Sequence, residues 1–408
     1  MQRSVDRFLT THQGSLARPR ELMELLLARQ TDQDVDTSQF EERVAQAVAG
    51  VVRQQVACGI DVVNDGEFSK LGWSAYFGGR LSGVEVRPGE RSTIGPITAR
   101  DAREFPEWFD VAQSMGGPVY SWVARAAAQR DGPGVGGTVL QGTFCTGPLA
   151  YVGQEEVARD IVNLKTAAAG QPVTELCLTA LAPATAEFFM RNQYYPSDEA
   201  YVYAIAEAMR SEYLAITDAG VLLQLDEPAL ATNWQVFPDM DLSQFRKWVE
   251  LRVEALNHAL RGIPPERVRM HVCWGSIHHP HRADIPLESV VDLLLKVNAQ
   301  GLSLEAANPR HDHDWEVWTR VKLPDGKVLM PGMIGHYTDF VEHPGLVADR
   351  FVKYANVVGR ENVIGGTDCG IGTRVGHPKI GWAKFQSLSE GARLATEQLW
   401  GGDHAHAH

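Results

Sequence analysis

The chain has 408 residues, of which 44% are apolar and 22% are charged, and this composition excludes disordered and collagen-like proteins. Lys and Arg total 38 against 51 for Asp and Glu, so the net charge is −13. No basic run stands out, and we therefore expect neither nucleic acid nor a membrane surface as a partner. The sequence has no apolar stretch of the roughly 20 residues that span a membrane, and no apolar signal core begins it, so we expect a cytoplasmic protein.

Short, aliphatic-rich runs bounded by Gly, Pro or polar residues are predicted as strands. There are eight, namely Arg7–Gly14, Asp61–Glu67, Thr138–Cys145, Val221–Asp226, Val268–Cys273, Gly301–Ala306, Val328–Ile334 and Asn362–Cys369. Helical patterns lie between them, and this alternation predicts a parallel sheet of the α/β class. Eight such units predict a single (β/α)8 TIM barrel. A doubly wound open sheet is the alternative, although no Gly-rich dinucleotide fingerprint follows the first strand.

The gap between the second and third predicted strands is too long for one crossover helix. We therefore expect an insertion there, at about residues 68–137, with a hairpin near Val84–Thr98. The predicted organisation is one catalytic barrel over residues 1–400 and a flexible, histidine-containing tail over residues 401–408.

Polar side chains recur at the carboxyl ends of the predicted strands, where barrel enzymes build their sites. They are His12, Glu67, Asp226, His271, Cys273, Glu305, His336, Asp368 and Cys369. His271 and Cys273 are two residues apart on one strand, so both side chains should enter the barrel mouth. With Glu305 and Cys369 they form a credible tetrahedral zinc set. The alternative is a set of buried, inert thiols beside a hydrogen-bonded strand histidine.

The charge of such a set indicates its chemistry. Two thiolates and a carboxylate carry more negative charge than Zn²⁺ neutralises, so the site is poorly suited to activating water. It suits the task of holding a substrate thiol as a nucleophilic thiolate of lowered pKa. The carboxylate is the most exchangeable ligand and could give way to the incoming sulfur. This points to alkylation of sulfur rather than to hydrolysis.

These residues resemble those of the catalytic barrel of cobalamin-independent methionine synthase, and the resemblance extends from Thr10 to about Trp400. It implies zinc ligation by the His-x-Cys pair, a Glu one strand later and a Cys near the end, which are His271, Cys273, Glu305 and Cys369.

The resemblance also implies a substrate pocket. The run TTHQGS is similar to the family's first strand and turn, so His12, Gly14 and Ser15 are expected at the substrate, with the Gly-Ser backbone meeting its carboxylate. The run LDEPA matches the family's Asp-Glu-Pro segment, which implies that Asp226 binds the substrate amine. Glu67, in Asp-Gly-Glu, is the second amine-binding residue.

Three further roles and a loop complete the predicted site. We assign proton transfer to His336, although it lies one position from the family's histidine, and we expect Asp368 to orient a ligand as a catalytic residue. Trp274 is predicted to form a wall of the substrate pocket. The histidines 278, 279 and 281 are expected in a solvated loop, with a second metal site as the alternative.

Two departures from the family leave the alkyl donor open. The full-length synthases carry a second barrel that is absent here, and Gly147-Pro148 does not run on to the Asn-Trp that supports folate. The expected partners are a small-molecule thiol and an alkyl or methyl donor, and the oligomeric state is left open, a homo-oligomer included.

Other functions stay open at this stage. The runs HVCWG and GTDCG look equally like those of epoxyalkane:coenzyme M transferases, in which a zinc-bound thiolate opens an epoxide. A metal-free barrel lyase of the uroporphyrinogen decarboxylase type and a closed zinc-storage site are the remaining alternatives.

Overall fold

The computed structural model describes residues 1–30, 33–117, 141–372 and 374–401. Its strands, in chain order, are β1 Leu9–Thr10, β2 Val62–Val63, β3 Val84–Pro88, β4 Gln141–Cys145, β5 Glu175–Leu181, β6 Met190–Asn192, β7 Leu222–Asp226, β8 Val268–Val272, β9 Gly301–Leu304, β10 Val328–Ile334 and β11 Ile364–Thr367. Its α-helices are Arg20–Gln30, Thr37–Ala57, Trp73–Arg80, Ala99–Glu104, Pro106–Ser114, Gln154–Ala168, Pro183–Phe189, Asp198–Asp218, Ala229–Val236, Leu242–Ala259, Val291–Leu294, Pro344–Val358 and Pro378–Trp400.

Eight parallel strands form a barrel in the order β1-β11-β10-β9-β8-β7-β5-β2. A parallel bridge between Thr11 and Val62 joins the two ends of this order and closes the ring. Strands β7, β8 and β10 are buried along their whole length, as expected where helices cover a parallel sheet. The predicted (β/α)8 TIM barrel is therefore confirmed.

One predicted strand is misplaced. Residues 141–145 of the run Thr138–Cys145 do form a strand, β4, but it pairs with β3 and β6 in a separate small sheet. The third barrel strand is β5, which pairs with β2 and β7. Polar residues interrupt the apolar pattern of β5 (ELCLTAL), and local pattern does not reveal which sheet a strand joins.

The segment between β2 and β5 carries the small sheet and docks on the barrel. In place of the hairpin expected near Val84–Thr98, β3 pairs with the distant β4. On the helix Ala99–Glu104, Asp101 Oδ2 lies 2.7 Å from His279 Nδ1, and its Oδ1 accepts a hydrogen bond of 2.8 Å from the backbone N–H of Ala283. Residues 118–137 of the predicted insertion and residues 402–408 of the predicted tail lie outside the described residues.

Helix boundaries follow from their capping residues. Asp36 accepts a hydrogen bond from Gln39 N–H to begin the helix Thr37–Ala57, and Asp241 forms a capping box with Gln244 at the start of Leu242–Ala259. Among the described residues, no helix is long and apolar enough to cross a membrane.

A polar layer fills the barrel below its mouth. The Arg269 side chain on β8 is 1% exposed, and its guanidinium donates to the Gln224 side chain, to Thr11 Oγ1 at 2.8 Å and to the His12 carbonyl at 2.8 Å. This network ties β1, β7 and β8 together directly beneath the residues discussed next.

Candidate active site

Three side chains with metal-ligating atoms meet at the barrel mouth. A ring nitrogen of His271 and the sulfurs of Cys273 and Cys369 all lie within 4.8 Å of one another, and all three residues are buried. This is the one such group in the described part of the chain. It joins the end of β8 to the end of β11.

The hydrogen bonding of His271 fits a metal ligand. Its Nδ1 is hydrogen-bonded to Ser303 Oγ at 3.0 Å, which fixes the ring. Its Nε2 is buried and makes no well-aligned hydrogen bond among the described residues, and the nearby Cys369 sulfur raises the pKa of the ring against the effect of burial. A buried nitrogen without a partner is costly, and a bound cation would satisfy it. These residues could therefore hold a metal ion.

The two cysteines are electrostatically coupled. A hydrogen bond from the Cys273 thiol holds the pKa of Cys369 well below its usual range, and Arg374 and His271 lower it further. The same bond raises the pKa of Cys273. The coupling therefore favours the anionic form at Cys369 over that at Cys273.

Glu305, the predicted fourth ligand, is not part of the three-atom group. Its Oε1 accepts a hydrogen bond of 2.9 Å from the backbone N–H of Trp274, and its Oε2 accepts one of 2.8 Å from Asn308 Nδ2. The hydroxyl of Tyr337 lies 3.4 Å from the same Oε2. Burial raises the pKa of this carboxyl well above its usual range.

The Asp368 side chain is hydrogen-bonded to the loop after β9. Among the described residues, it makes no hydrogen bond to the side chain of His271 or Cys273. Its Oδ1 accepts from the backbone N–H groups of Ala306 and Ala307 at 2.7 and 2.8 Å, and its Oδ2 accepts from Asn308 Nδ2 at 3.1 Å. A Cβ at Gly332 would lie 1.9 Å from Oδ1, so only glycine leaves room for this carboxylate. Asp368 therefore positions the loop that carries Asn308, and its predicted part in catalysis stays a prediction.

Two buried carboxylates, those of Glu67 and Asp226, lie at the same mouth. Burial, together with the charge of Asp226, raises the pKa of Glu67 to about 7. Burial also raises the pKa of Asp226 to about 6, partly offset by His271. Glu67 Oε1 is buried without a hydrogen-bond partner among the described residues. Such a pair is suited to receiving a cationic group.

The backbone around Glu67 brings its carboxylate inward. Glu67 has φ +60°, a left-handed conformation that is strained for a residue with a side chain. Arg18 Nη2 donates to the Glu67 carbonyl at 2.8 Å and thereby holds this turn. Strain that is retained at a buried acid indicates a functional position.

The turn at Gly14 and Ser15 lies against the residue that follows Cys369. A Cβ at Gly14 would lie 3.4 Å from Gly370 Cα and 3.6 Å from Glu67 Oε1. A Cβ at Gly370 would approach Ser15 N to 2.8 Å. The structure therefore places the turn at Gly14 and Ser15 beside Gly370 and Glu67, and its contact with a substrate stays a prediction.

Two predicted substrate residues point elsewhere. His12 Nε2 lies 2.8 Å from Gln55 Oε1 and its ring packs on Phe385, because the neighbouring Thr11 side chain is the one that turns into the barrel. Trp274 donates from Nε1 to the Ile285 carbonyl at 2.7 Å and stacks on His311. Only the backbone N–H of Trp274 serves the site, by holding Glu305.

His336 is fully buried at the mouth. Neither ring nitrogen has a hydrogen-bond partner among the described residues, and burial lowers its pKa well below the usual range, so the ring is neutral. Its ring lies 4.1 Å from that of Tyr337. A neutral, unpartnered imidazole is able to accept a proton.

The loop histidines are not solvated as predicted. His279 pairs with Asp101, and His281 Nδ1 lies 2.8 Å from Asp284 Oδ2. The described residues hold no second metal-ligating group there.

Sequence reasoning missed Ser303, Asn308 and Tyr337, all of which contact predicted ligands. The Asn-Pro pair at residues 308 and 309 indicates a turn, but no pattern in the sequence indicates that the Asn308 amide contacts Glu305.

No protein-family model matches the chain. The chain is 23% identical over 391 residues to a methionine synthase of Pyrococcus abyssi (strain GE5 / Orsay), covering 95% of this chain and 92% of the relative. It is 24% identical over 392 residues to a methionine synthase of Sulfurisphaera tokodaii, covering 96% and 93%.

Solved structures share the fold. A B12-independent methionine synthase from Shewanella sp. W3-18-1, in complex with selenomethionine, superposes with a TM-score of 0.68 at 20% identity over 97% of this chain and 99% of that one. A putative vitamin-B12 independent methionine synthase from Listeria monocytogenes gives 0.63 at 18% identity over 96% and 98%.

Proposed function

We propose that this chain, which is similar to methionine synthases over 95% of its length, is a cobalamin-independent, zinc-dependent transferase that methylates the thiol of homocysteine or a related amino acid. The observation that carries the proposal is the buried, unpartnered carboxylate of Glu67 beside Asp226, at the same mouth as the His271, Cys273 and Cys369 group. One pocket thus offers an anionic pair for an ammonium group and a set of soft ligands for a thiol-binding metal.

His271, Cys273 and Cys369 would hold the zinc, with Glu305 as the proposed fourth ligand. The choice of zinc is supported by the donor set, since one imidazole with two thiolates is typical of zinc sites. When bound, zinc would lower the pKa of the substrate thiol and keep its sulfur nucleophilic.

The chain's own residues then supply binding and proton movement. Glu67 and Asp226 pair with the substrate ammonium, and the pairing returns both carboxyls to the ionised form that burial alone disfavours. The backbone at Gly14 and Ser15 receives the substrate carboxylate. His336, neutral and unpartnered, relays the proton that the thiol loses on binding; because burial lowers the pKa of its ring, it passes this proton on and does not retain it.

Opening of an epoxide by a coenzyme-like thiol is less well supported. A thiol without an amine would leave Glu67 Oε1 buried and unpaired, which costs about 1–3 kcal/mol. A metal-free lyase gives no use to the three-atom group.

The test compares homocysteine with 4-mercaptobutyrate, which has the same carbon chain and thiol but no amine. Each thiol is assayed with a methyl-folate and with an epoxide as donor. The wild type should prefer homocysteine at least about tenfold, and Asp226→Asn should lose that preference, because a desolvated charge pair contributes about 2–5 kcal/mol.

Asp325→Asn is the matched control, because the Asp325 side chain is 93% exposed and far from any buried acid pair. If the wild type does not distinguish the two thiols, or uses only the epoxide, the amino-acid function is wrong.

A further inference from the structure

The Glu305 carboxylate accepts hydrogen bonds from two groups, and these connect it to the strands that end near Cys273 and Cys369. The donor to its Oε1 is the N–H of Trp274, the residue directly after Cys273. The donor to its Oε2 is Asn308 Nδ2, which also reaches Asp368 Oδ2, on the residue directly before Cys369. Asn308 is therefore the link between Glu305 and the Cys369 strand.

Asn308 is itself held rigidly. Its Oδ1 accepts hydrogen bonds from the backbone N–H groups of Arg310 and His311 at 3.0 and 3.1 Å. With Oδ1 engaged in the turn, the amide group can only point Nδ2 toward the two carboxylates. Its orientation is thus fixed by the backbone and does not depend on Glu305.

We infer that Asn308 is a positioning residue that gives Glu305 a docking position outside the His271, Cys273 and Cys369 group. The inference rests on the proposed function, since it concerns how a substrate sulfur replaces Glu305. A carboxyl group that leaves a metal in a buried site needs new hydrogen-bond partners, because a buried polar or charged group without partners is unfavourable. Trp274 N–H and Asn308 Nδ2 supply those partners in advance.

Docking and metal ligation then compete for one carboxylate. Removing the Asn308 donor destabilises the docked position of Glu305, so the equilibrium should shift toward Glu305 bound to the metal. Metal affinity should rise and thiol affinity should fall. A hydrogen bond to a charged group is strong enough to change each by about tenfold.

The experiment measures zinc affinity by competition with a chromophoric chelator, in wild type, Asn308→Ala and Asn308→Asp. The Asp variant keeps the Oδ1 acceptor of the turn, replaces the donor by an acceptor and adds a negative charge beside Glu305 and Asp368, whereas the Ala variant removes the donor without adding charge. We expect both variants to bind zinc about tenfold more tightly than wild type. A loop that had merely lost its structure would bind zinc more weakly, and weaker binding in both variants would overturn the inference.

A double-mutant cycle with Glu305→Gln tests the route of the effect. If Asn308 acts through Glu305, the gain in zinc affinity should disappear when Gln replaces the competing carboxylate. An equal gain in the Glu305→Gln background would show that Asn308 acts on the metal by another route, and would also overturn the inference.

Calorimetry of homocysteine binding to the zinc-loaded proteins supplies the second arm. We expect Asn308→Ala to bind homocysteine about tenfold more weakly than wild type, opposite in sign to its zinc affinity. If wild type binds no homocysteine, the proposed function fails, while the zinc measurements still decide the docking position of Glu305.

Discussion

Two buried polar regions lie one above the other in this barrel, and their hydrogen bonding differs. In the lower one, the Arg269 guanidinium donates to Gln224, Thr11 and His12. In the upper one, at the mouth, His271 Nε2, Glu67 Oε1 and both nitrogens of His336 make no well-aligned hydrogen bond among the described residues. Each unpaired buried group costs about 1–3 kcal/mol. The lower layer therefore stabilises the fold, whereas the upper one leaves buried polar groups unpaired at a cost in stability.

The largest expected effect is a loss of zinc affinity when a side chain of the upper region is replaced. Cys369→Ser should weaken zinc binding by about 3–4 kcal/mol, roughly a quarter of the 10–16 kcal/mol of a four-ligand structural site. Metal content after dialysis against a weak chelator measures this. Cys58→Ser, at a buried thiol that lies outside the three-atom group, is the control and should keep its metal. Equal metal retention in both variants would contradict the assigned site.

The next largest effect is a loss of stability when the central arginine of the lower layer is replaced. Arg269→Met should lower the free energy of unfolding by about 3 kcal/mol or more, because it leaves three buried acceptors without a donor. Denaturant unfolding of the metal-free protein measures it. Arg267→Met, on an exposed residue just before the same strand, should change it by less than about 0.5 kcal/mol. A loss below 1 kcal/mol for Arg269→Met would show that the layer is not a stabilising element.

The upper region should also make the stability of the protein depend on pH, which the lower layer should not. Because the pKa of Glu67 is raised to about 7 in the folded protein, the folded state binds more protons than the unfolded state between about pH 4.5 and 7. Stability therefore falls as pH rises through this window. Glu67→Gln should remove that fall and raise the free energy of unfolding at pH 8 by about 2–3 kcal/mol, with little change at pH 4.5.

Unfolding of the metal-free protein at several pH values checks this prediction. Glu155→Gln is the control, since the Glu155 side chain is 89% exposed. A pH profile of Glu67→Gln that parallels the wild type would mean that Glu67 titrates normally.

The smallest expected effect concerns His336. His336→Leu replaces an unpaired buried imidazole by an apolar side chain of similar size, so stability should stay the same or rise by about 1 kcal/mol. Methyl transfer should nevertheless fall by about 10²-fold or more if the ring moves a proton. A variant that is destabilised by several kcal/mol would place His336 with the structural layer instead.

The parts of this structure that sequence could predict are those that follow from strand periodicity. His271 and Cys273 share a face because they are two residues apart at a strand end, and Cys369 meets them because parallel strands present their carboxyl ends at one mouth. Metal ligation by these residues and by Glu305 stays a prediction.

The features that sequence could not predict lie where strand periodicity ends. Glu305 follows its strand, so its direction is set by Asn308 and by the N–H of Trp274, which no pattern in the sequence specifies. His12 sits at the bridge that closes the barrel, and there Thr11 takes the inward direction. The strand at residues 141–145 was recognised but assigned to the wrong sheet, because sheet membership depends on pairing between distant segments.

The pairing of β1 with β11 has a consequence for folding during synthesis of the chain. Leu9 pairs with Ile364. The barrel therefore cannot close until β11, the last strand to be synthesised, is available to pair with β1, the first. Domains fold as the ribosome releases them, from the N-terminus onward. The strand that completes the ring is also the one that delivers Cys369, five residues beyond Ile364. A chain that stops before Ile364 therefore lacks both the strand that closes the barrel and Cys369, the third residue of the group that could hold a metal ion.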